Sequence, residues 1–283
     1  MKIAVTGANG NVGRQVLSEL LTHHYEVRAL TLAPWEECLD DVEPMQVDVK
    51  NFDQVKNGLA GCDAVIHLAA YPSPHGPSES EVFANNVMGV YHVLLAAGEL
   101  GIRRAACASS DCAYGITYSH KDTRPIYVPV DEEHPSAPDN CYGMSKLAGE
   151  QVADGMAKRF DLTVASLRFT YVIRPGNYAQ SEFSRSTGDP ELGPWNVWSY
   201  IDGRDCARAF RLAIERPFTG HQVFNIAAAE QRTTVPTAEL VSKYYPDAEI
   251  RKPLDGFRSL LDCTKAAELL GFVPEYRWRD FVE

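Results

Sequence analysis

The sequence of 283 residues has no C-x-x-C pair, and its seven cysteines (Cys38, Cys62, Cys107, Cys112, Cys141, Cys206 and Cys263) are odd in number and scattered. Zinc sites and disulfide frameworks need paired, regularly spaced cysteines, so these read as reduced, packed thiols, and no metal is assigned. There is no Lys/Arg run, and the formal net charge is −11. An acidic chain of this kind is not built to bind nucleic acid or an anionic membrane, which leaves a small molecule as the expected partner. No stretch of about 18 apolar residues is present. The first strand begins at Lys2, leaving no room for a signal peptide ahead of it, and a cytoplasmic protein is expected. Repeats, coiled-coil heptads and low-complexity tracts are also lacking. What the chain does have is 45% hydrophobic residues, enough to fill one large α/β core.

The stretch Thr6-Gly7-Ala8-Asn9-Gly10-Asn11-Val12-Gly13 follows a strand-like run, Lys2 to Val5, and opens a helical run through Val16, Leu17, Leu20 and Leu21. In that context Gly7 permits a tight turn, Gly10 lets the backbone approach a pyrophosphate, and Gly13 lets helix and strand pack closely. The phosphates would sit at a helix N-terminus whose free N–H groups point at them. The spacing is G-x-x-G-x-x-G, one residue longer than the general dinucleotide fingerprint.

Tyr25 to Thr31 reads as a second strand. Thr31 stands where a carboxylate would grip the adenine ribose, no Arg or Lys follows to hold a 2′-phosphate, and Glu36, Glu37, Asp40 and Asp41 come soon after. Those acids would repel the extra phosphate, so NAD is favoured over NADP. Met45 to Val49 is a third strand with Asp48 and Val49 at its ligand-facing end. Asp48 is either an acceptor for the adenine amine or the N-cap of a helix from Phe52 to Leu59. Asp63 to Ala70 is a nearly continuous apolar run, as in a parallel strand buried on both faces. Its His67 precedes the strand end and reads as a core histidine, while small Ala69 and Ala70 would let a cofactor lie close. A loop from Tyr71 to Ser80 and a helix to Leu100 follow, then a strand from Arg104 to Ser109. Residues 116–140, rich in Pro, Asp and His, are expected as an irregular surface loop. A helix from Cys141 to Phe160, a strand from Thr163 to Phe169, a helix from Tyr200 to Glu215, a strand from Gln222 to Ile226 and two short helices complete the chain. Alternating strands and helices predict an α/β fold, a Rossmann-like doubly wound parallel sheet. Residues 1–170 would form the NAD(P)-binding domain. Residues 171–283 would be mostly a small C-terminal substrate-binding portion, with the helix near 200–215 and the strand near 222–226 returning to the sheet.

Tyr142 has a lysine, Lys146, four residues on, so the ammonium and the phenol share a helix face. A cation beside a phenol stabilises phenolate and moves it toward working pH, which makes a tunable acid/base; Lys146 can also donate to ribose hydroxyls. A serine at the end of the strand before residue 110 would orient the reacting oxygen, and the three together account for an alcohol-to-carbonyl conversion without metal.

With Asp48-Val49, His67-Leu68-Ala69-Ala70, Asn86-Val87-x-Gly89, Ser109-Ser110 before Tyr114-Gly115, Tyr142-Gly143-x-Ser145-Lys146, Leu167-Arg168 and Asp205-Cys206-Ala207, the chain resembles the extended short-chain dehydrogenase/reductase family over nearly its whole length. The resemblance implies Ser110, rather than Ser109, as substrate orienter, Tyr142 as acid/base and Lys146 as its tuner and ribose anchor. It also implies a homodimer through two helices, for which Val87, Val90, Leu94, Leu147, Val152 and Met156 are the candidate contacts. Together the readings put cofactor contacts at Gly7, Asn9, Gly10, Asn11, Val12, Thr31, Asp48, Val49, Leu68, Ala69, Ala70, Asn86, Ala108, Tyr142, Lys146 and Phe169. Substrate contacts are expected at Tyr71, Ser110, Asp111, Tyr171 and Arg174.

Departures from the family pattern narrow the substrate. Tyr171 replaces the asparagine that serves a sugar nucleotide in similar sequences, and Pro175 to Ser199 is short for a nucleotide-enclosing insertion. Asp111-Cys112 matches neither the Asn-His of uronate dehydrogenases nor the Asp-Glu of dehydratases. The expected function is NAD(P)-dependent hydride transfer to or from a sugar, sugar acid or similar small polyol, with a nucleotide-sugar epimerase as the alternative. A cofactor-sensing binding protein is a third reading, which the intact Ser110, Tyr142 and Lys146 oppose.

Overall fold

A computed structural model describes residues 1–35, 41–179 and 181–282. Its centre is a seven-stranded sheet built from β1 (Lys2–Thr6), β2 (Glu26–Thr31), β3 (Val42–Gln46), β4 (Ala64–His67), β5 (Arg104–Ser110), β7 (Thr163–Phe169) and β10 (His221–Ile226). The order across the sheet is β3-β2-β1-β4-β5-β7-β10, and every pairing is parallel. Sequence order reverses between β1 and β4, the point at which open α/β sheets form a ligand crevice.

Side-chain alternation along the strands explains the layers. Ile3, Val5, Ala64, Ile66, Ala106 and Leu167 enter one core with α1 (Asn11–Thr22), α6 (Gly203–Glu215) and α8 (Thr264–Leu270). Ala4, Val65, Ala105, Cys107 and Val164 enter the other with α2 (Phe52–Leu59), α3 (Glu79–Glu99) and α4 (Cys141–Phe160). Strands apolar on both faces are what a sheet sandwiched by helices requires. The Asp205 carboxylate, in α6, accepts from the backbone N–H groups of Glu275 and Tyr276, tying the C-terminal segment to the helix layer.

Three expectations need correction. The third strand runs from Val42 to Gln46 rather than Met45 to Val49, because its register pairs Val42 with Val27 and Gln46 with Thr31. Asp48 is not the N-cap of α2; Asn51 is, accepting from the Gln54 N–H at 3.1 Å, while Asp48 accepts from Lys50. The segment 116–140 is not merely surface. Its β6 (Tyr127–Val128) pairs with β11 (Glu249–Ile250), and Val128 and Val130 are fully buried with Trp198, Leu240 and Leu260 in a separate small core. The apolar run Tyr127-Val128-Pro129-Val130 carried that signal within an otherwise polar stretch. The acids Glu36, Glu37 and Asp40 lie outside the described residues.

Candidate functional site

The Gly-rich turn is held by steric necessity. Gly7 has φ +67°, and a Cβ there would lie 2.8 Å from the Ala69 nitrogen. At Gly13 a Cβ would lie 2.3 Å from the Gly7 carbonyl oxygen, so this glycine admits the turn's own backbone rather than only the neighbouring strand. Gly10 is the N-cap of α1 and supplies no side-chain cap, so the first-turn N–H groups remain available to an anion. These are the features a dinucleotide pyrophosphate needs.

At the end of β5, the Ser110 hydroxyl donates to the Asp111 carboxylate at 3.0 Å and accepts from the Cys112 N–H at 3.1 Å. Thr117 and Thr170 donate to the other Asp111 oxygen at 3.2 and 3.1 Å. Burial raises the Asp111 carboxyl above its ordinary value, and these hydroxyls oppose the shift. Facing Ser110 is the first part of α4, which Asn140 caps by accepting from Gly143 at 2.8 Å. It carries Tyr142 and Lys146, both buried. The Lys146 Nζ donates to the Ala108 carbonyl at 2.9 Å and lies 5.4 Å from the Tyr142 ring centroid.

Burial pushes Lys146 down to about 8 and outweighs every other influence on Tyr142, which is pushed up; the bond from Ser110 opposes that shift. Lys146 is engaged at Ala108 and lies over the ring, so in this structure the phenol is not brought toward neutral pH by its neighbour as the i, i+4 spacing suggested. One turn further, Glu150 pairs with Arg168 at 2.6 Å and accepts from Ser109 at 2.6 Å, all three buried. That network bolts α4 to β5 and β7 and fixes the height of Tyr142 against Ser110.

A cavity of about 440 Å³ joins the turn to these groups. Of the expected cofactor residues, Gly7, Gly10, Asn11, Val12, Leu68, Ala70, Ala108, Tyr142, Lys146 and Phe169 line it. Thr31, Asp48 and Val49 lie past it along the sheet edge, and the Thr31 hydroxyl is spent on the Ala33 carbonyl at 2.7 Å. Asn9 is exposed, with its carbonyl accepting from Arg14. Ala69 lines only a smaller cavity behind Lys146. Asn86 lines that same space, and its amide grips both the Tyr71 backbone and the Ser145 hydroxyl, so it acts here as a brace. His67 is a core residue: it bonds Thr6 at 2.8 Å, and burial holds its imidazole down to about 3.

Of the expected substrate residues, Ser110, Asp111 and Tyr171 line the cavity. Asn86 bonds the Tyr71 backbone while the Tyr71 side chain packs against the cluster of Val82, Cys112, Cys141 and Tyr142, and Arg174 donates to the Asn11 side chain at 2.6 Å, over the turn rather than beside Ser110. Sequence reasoning missed Pro72, Thr117, Tyr118, Thr170 and Asn196 as lining residues. Nothing in their spacing marks them, since the folding of four separate segments brings them together. Tyr118 and Trp195 stack with centroids 5.9 Å apart at the substrate end.

A doubly wound sheet, an uncapped glycine turn and a buried Ser110, Tyr142 and Lys146 beside one cavity define a dinucleotide-binding fold. Residues 3–227 match the family described as "NAD dependent epimerase/dehydratase family", and the chain belongs to it. An NAD-dependent glucose-6-phosphate dehydrogenase of Haloferax volcanii is 28% identical over 86% of this chain and 92% of its own. An L-arabinose 1-dehydrogenase (NAD(P)(+)) of the same organism is 32% identical over 76% of this chain and 82% of its own. Among solved structures, MoeE5 in complex with UDP-glucose and NAD superposes with a TM-score of 0.74 at 25% identity, covering 99% of this chain and 95% of that one.

Proposed function

We propose that this enzyme is an NAD-dependent dehydrogenase of a free sugar, sugar acid or similar small polyol. The observation that carries the reading is one continuous cavity running from the uncapped turn to Ser110 and Tyr142 and ending at the Tyr118–Trp195 stack. A bound nicotinamide would supply the hydride acceptor. Gly10, Asn11 and Val12 would hold the pyrophosphate, and Lys146 the ribose. Tyr142 takes the hydroxyl proton of the substrate as its carbinol carbon is oxidised, and Ser110 keeps that oxygen in line. Sugar dehydrogenases among the relatives support the reading. Incubation with free sugars and NAD tests it: reduced nicotinamide should accumulate with turnover.

The epimerase alternative has one observation in its favour, the likeness to a structure holding UDP-glucose with NAD. It requires the aromatic stack to part and admit a nucleotide. NAD is preferred to NADP in our reading because Leu32, Ala33, Pro34 and Trp35 after Thr31 include no base for a 2′-phosphate. A cytoplasmic homodimer completes the proposal. Val90, Leu94 and Met156 are buried within the chain's own core, so the proposed pairing surface keeps the partly buried Val87, Leu147 and Val152 and adds the exposed Phe83, Met88 and Tyr91 of α3 with Met144 of α4. Light scattering at twice the monomer mass is the expected result.

A further inference from the structure

Arg232 is 1% exposed and pairs with no carboxylate among the described residues. The comparably buried Arg168 has Glu150, and Arg211 has Glu19 and Glu215. Arg232 donates instead to the Asn196 amide oxygen at 2.8 Å and to the Ser199 carbonyl at 2.9 Å, and its Nε has no partner. A buried guanidinium hydrogen-bonded only to neutral acceptors is an expensive arrangement; the more distant Asp111 carboxylate offsets part of the cost, and an anion bound in the cavity would offset more.

Asn196 lines the cavity, and Trp195 beside it has its ring 5.7 Å from the Arg232 guanidinium carbon. With its oxygen taken by Arg232 and one N–H given to the Ser199 carbonyl at 3.1 Å, Asn196 keeps one N–H as its remaining polar offering. Asp111, also in the cavity wall, is the negative counterpart, collecting hydroxyl donors beside Ser110. The cavity therefore has an acidic group next to the reacting atoms and a buried cation one layer behind Asn196.

We infer that Arg232, acting through Asn196, selects a substrate with an anionic group, carboxylate or phosphate, on the part of the molecule away from the oxidised carbon. Arg232 is a positioning residue: it fixes the Asn196 donor and supplies the charge behind it. This deepens the function proposed above and rests on it. It also assigns a substrate-reading role to an arginine that sequence spacing does not single out, whereas the expected substrate contact Arg174 is bonded to Asn11 of the turn.

The test compares a neutral aldose, its uronate and its 6-phosphate as substrates, with calorimetric binding of each to the enzyme loaded with NADH. One anionic form should exceed the neutral aldose by about tenfold or more in kcat/KM, the size expected of one charge-assisted hydrogen bond, and which form does so names the source of the anion. In Arg232→Met the anionic-to-neutral ratio should collapse through KM, and Arg232→Lys should restore part of it. Asn196→Asp, which gives the guanidinium a carboxylate and keeps the shape, should also collapse the ratio if Arg232→Met does not fold. A wild-type preference for the neutral aldose, or a ratio unmoved by both variants, overturns the inference. Arg232-dependent binding of an anionic sugar without nicotinamide reduction would instead overturn the dehydrogenase reading alone.

Discussion

The strands around β1, β4 and β5 send alternate side chains into two apolar layers, and the Gly-rich turn between them is fixed by backbone clashes at Gly7 and Gly13. The walls at the substrate end are made differently. Residues 111–118, 170–172 and 195–196 come from three loops and are held by individual hydrogen bonds, such as Thr117 and Thr170 to Asp111 and Arg232 to Asn196. The half of the cavity at the turn is thus specified by periodic patterns that tolerate only small residues at a few points. The substrate half is specified by single contacts, each of which can change without disturbing the sheet. Loops positioned by a rigid scaffold are where specificity is expected to vary.

Variants can sharpen that contrast. The largest effect belongs to Tyr142→Phe, which should cut turnover by ~10²–10⁴-fold, the usual contribution of a general acid/base, and leave NAD affinity close to wild type. Steady-state kinetics with calorimetry separates the two. In the scaffold, Glu150→Gln leaves Arg168 buried without its carboxylate and should cost about 3–5 kcal/mol of stability, seen as a lower denaturation midpoint. Trp195→Ala, by contrast, should leave that midpoint nearly in place and raise the substrate KM by about tenfold, the value of a lost aromatic contact at the high end of its range.

The smallest effect is on pH. Lys146 is charged below about 8 and loses its proton as pH rises through that value. Its contribution to NAD affinity is therefore present at neutral pH and fades in alkaline solution. Titration calorimetry across that range should show the decline in wild type and not in Lys146→Met. A flat wild-type profile would mean that the ammonium contributes nothing to NAD binding.

The sheet, the glycine turn and the helix carrying Tyr142 were legible in the sequence because their constraints are local. Three glycines at fixed spacing, apolar strands and a Tyr-x-x-x-Lys helix each lie within a few residues. The limits show at Arg174 and Arg232: the first, an expected substrate contact, turns to Asn11, while the second, to which no motif points, reaches Asn196 in the cavity wall. Only tertiary packing decides between them. Residues 116–140 failed for a related reason, since a polar composition hid Ile116, Val128 and Val130, which enter a core completed by Trp198 and Leu240 far along the chain. The expected influence of Lys146 on Tyr142 likewise depended on where the ammonium points, and it points at Ala108.

In the proposed function Tyr142 moves a proton for a dehydrogenase of small, non-nucleotide substrates. The most direct measurement is nicotinamide absorbance on mixing the enzyme and NAD with free sugars and sugar acids in one series and UDP-sugars in another. We predict sustained accumulation of reduced nicotinamide in the first series, abolished by Tyr142→Phe, and no product from the second. Interconversion of UDP-sugars without accumulation, and silence with every free sugar, would contradict it.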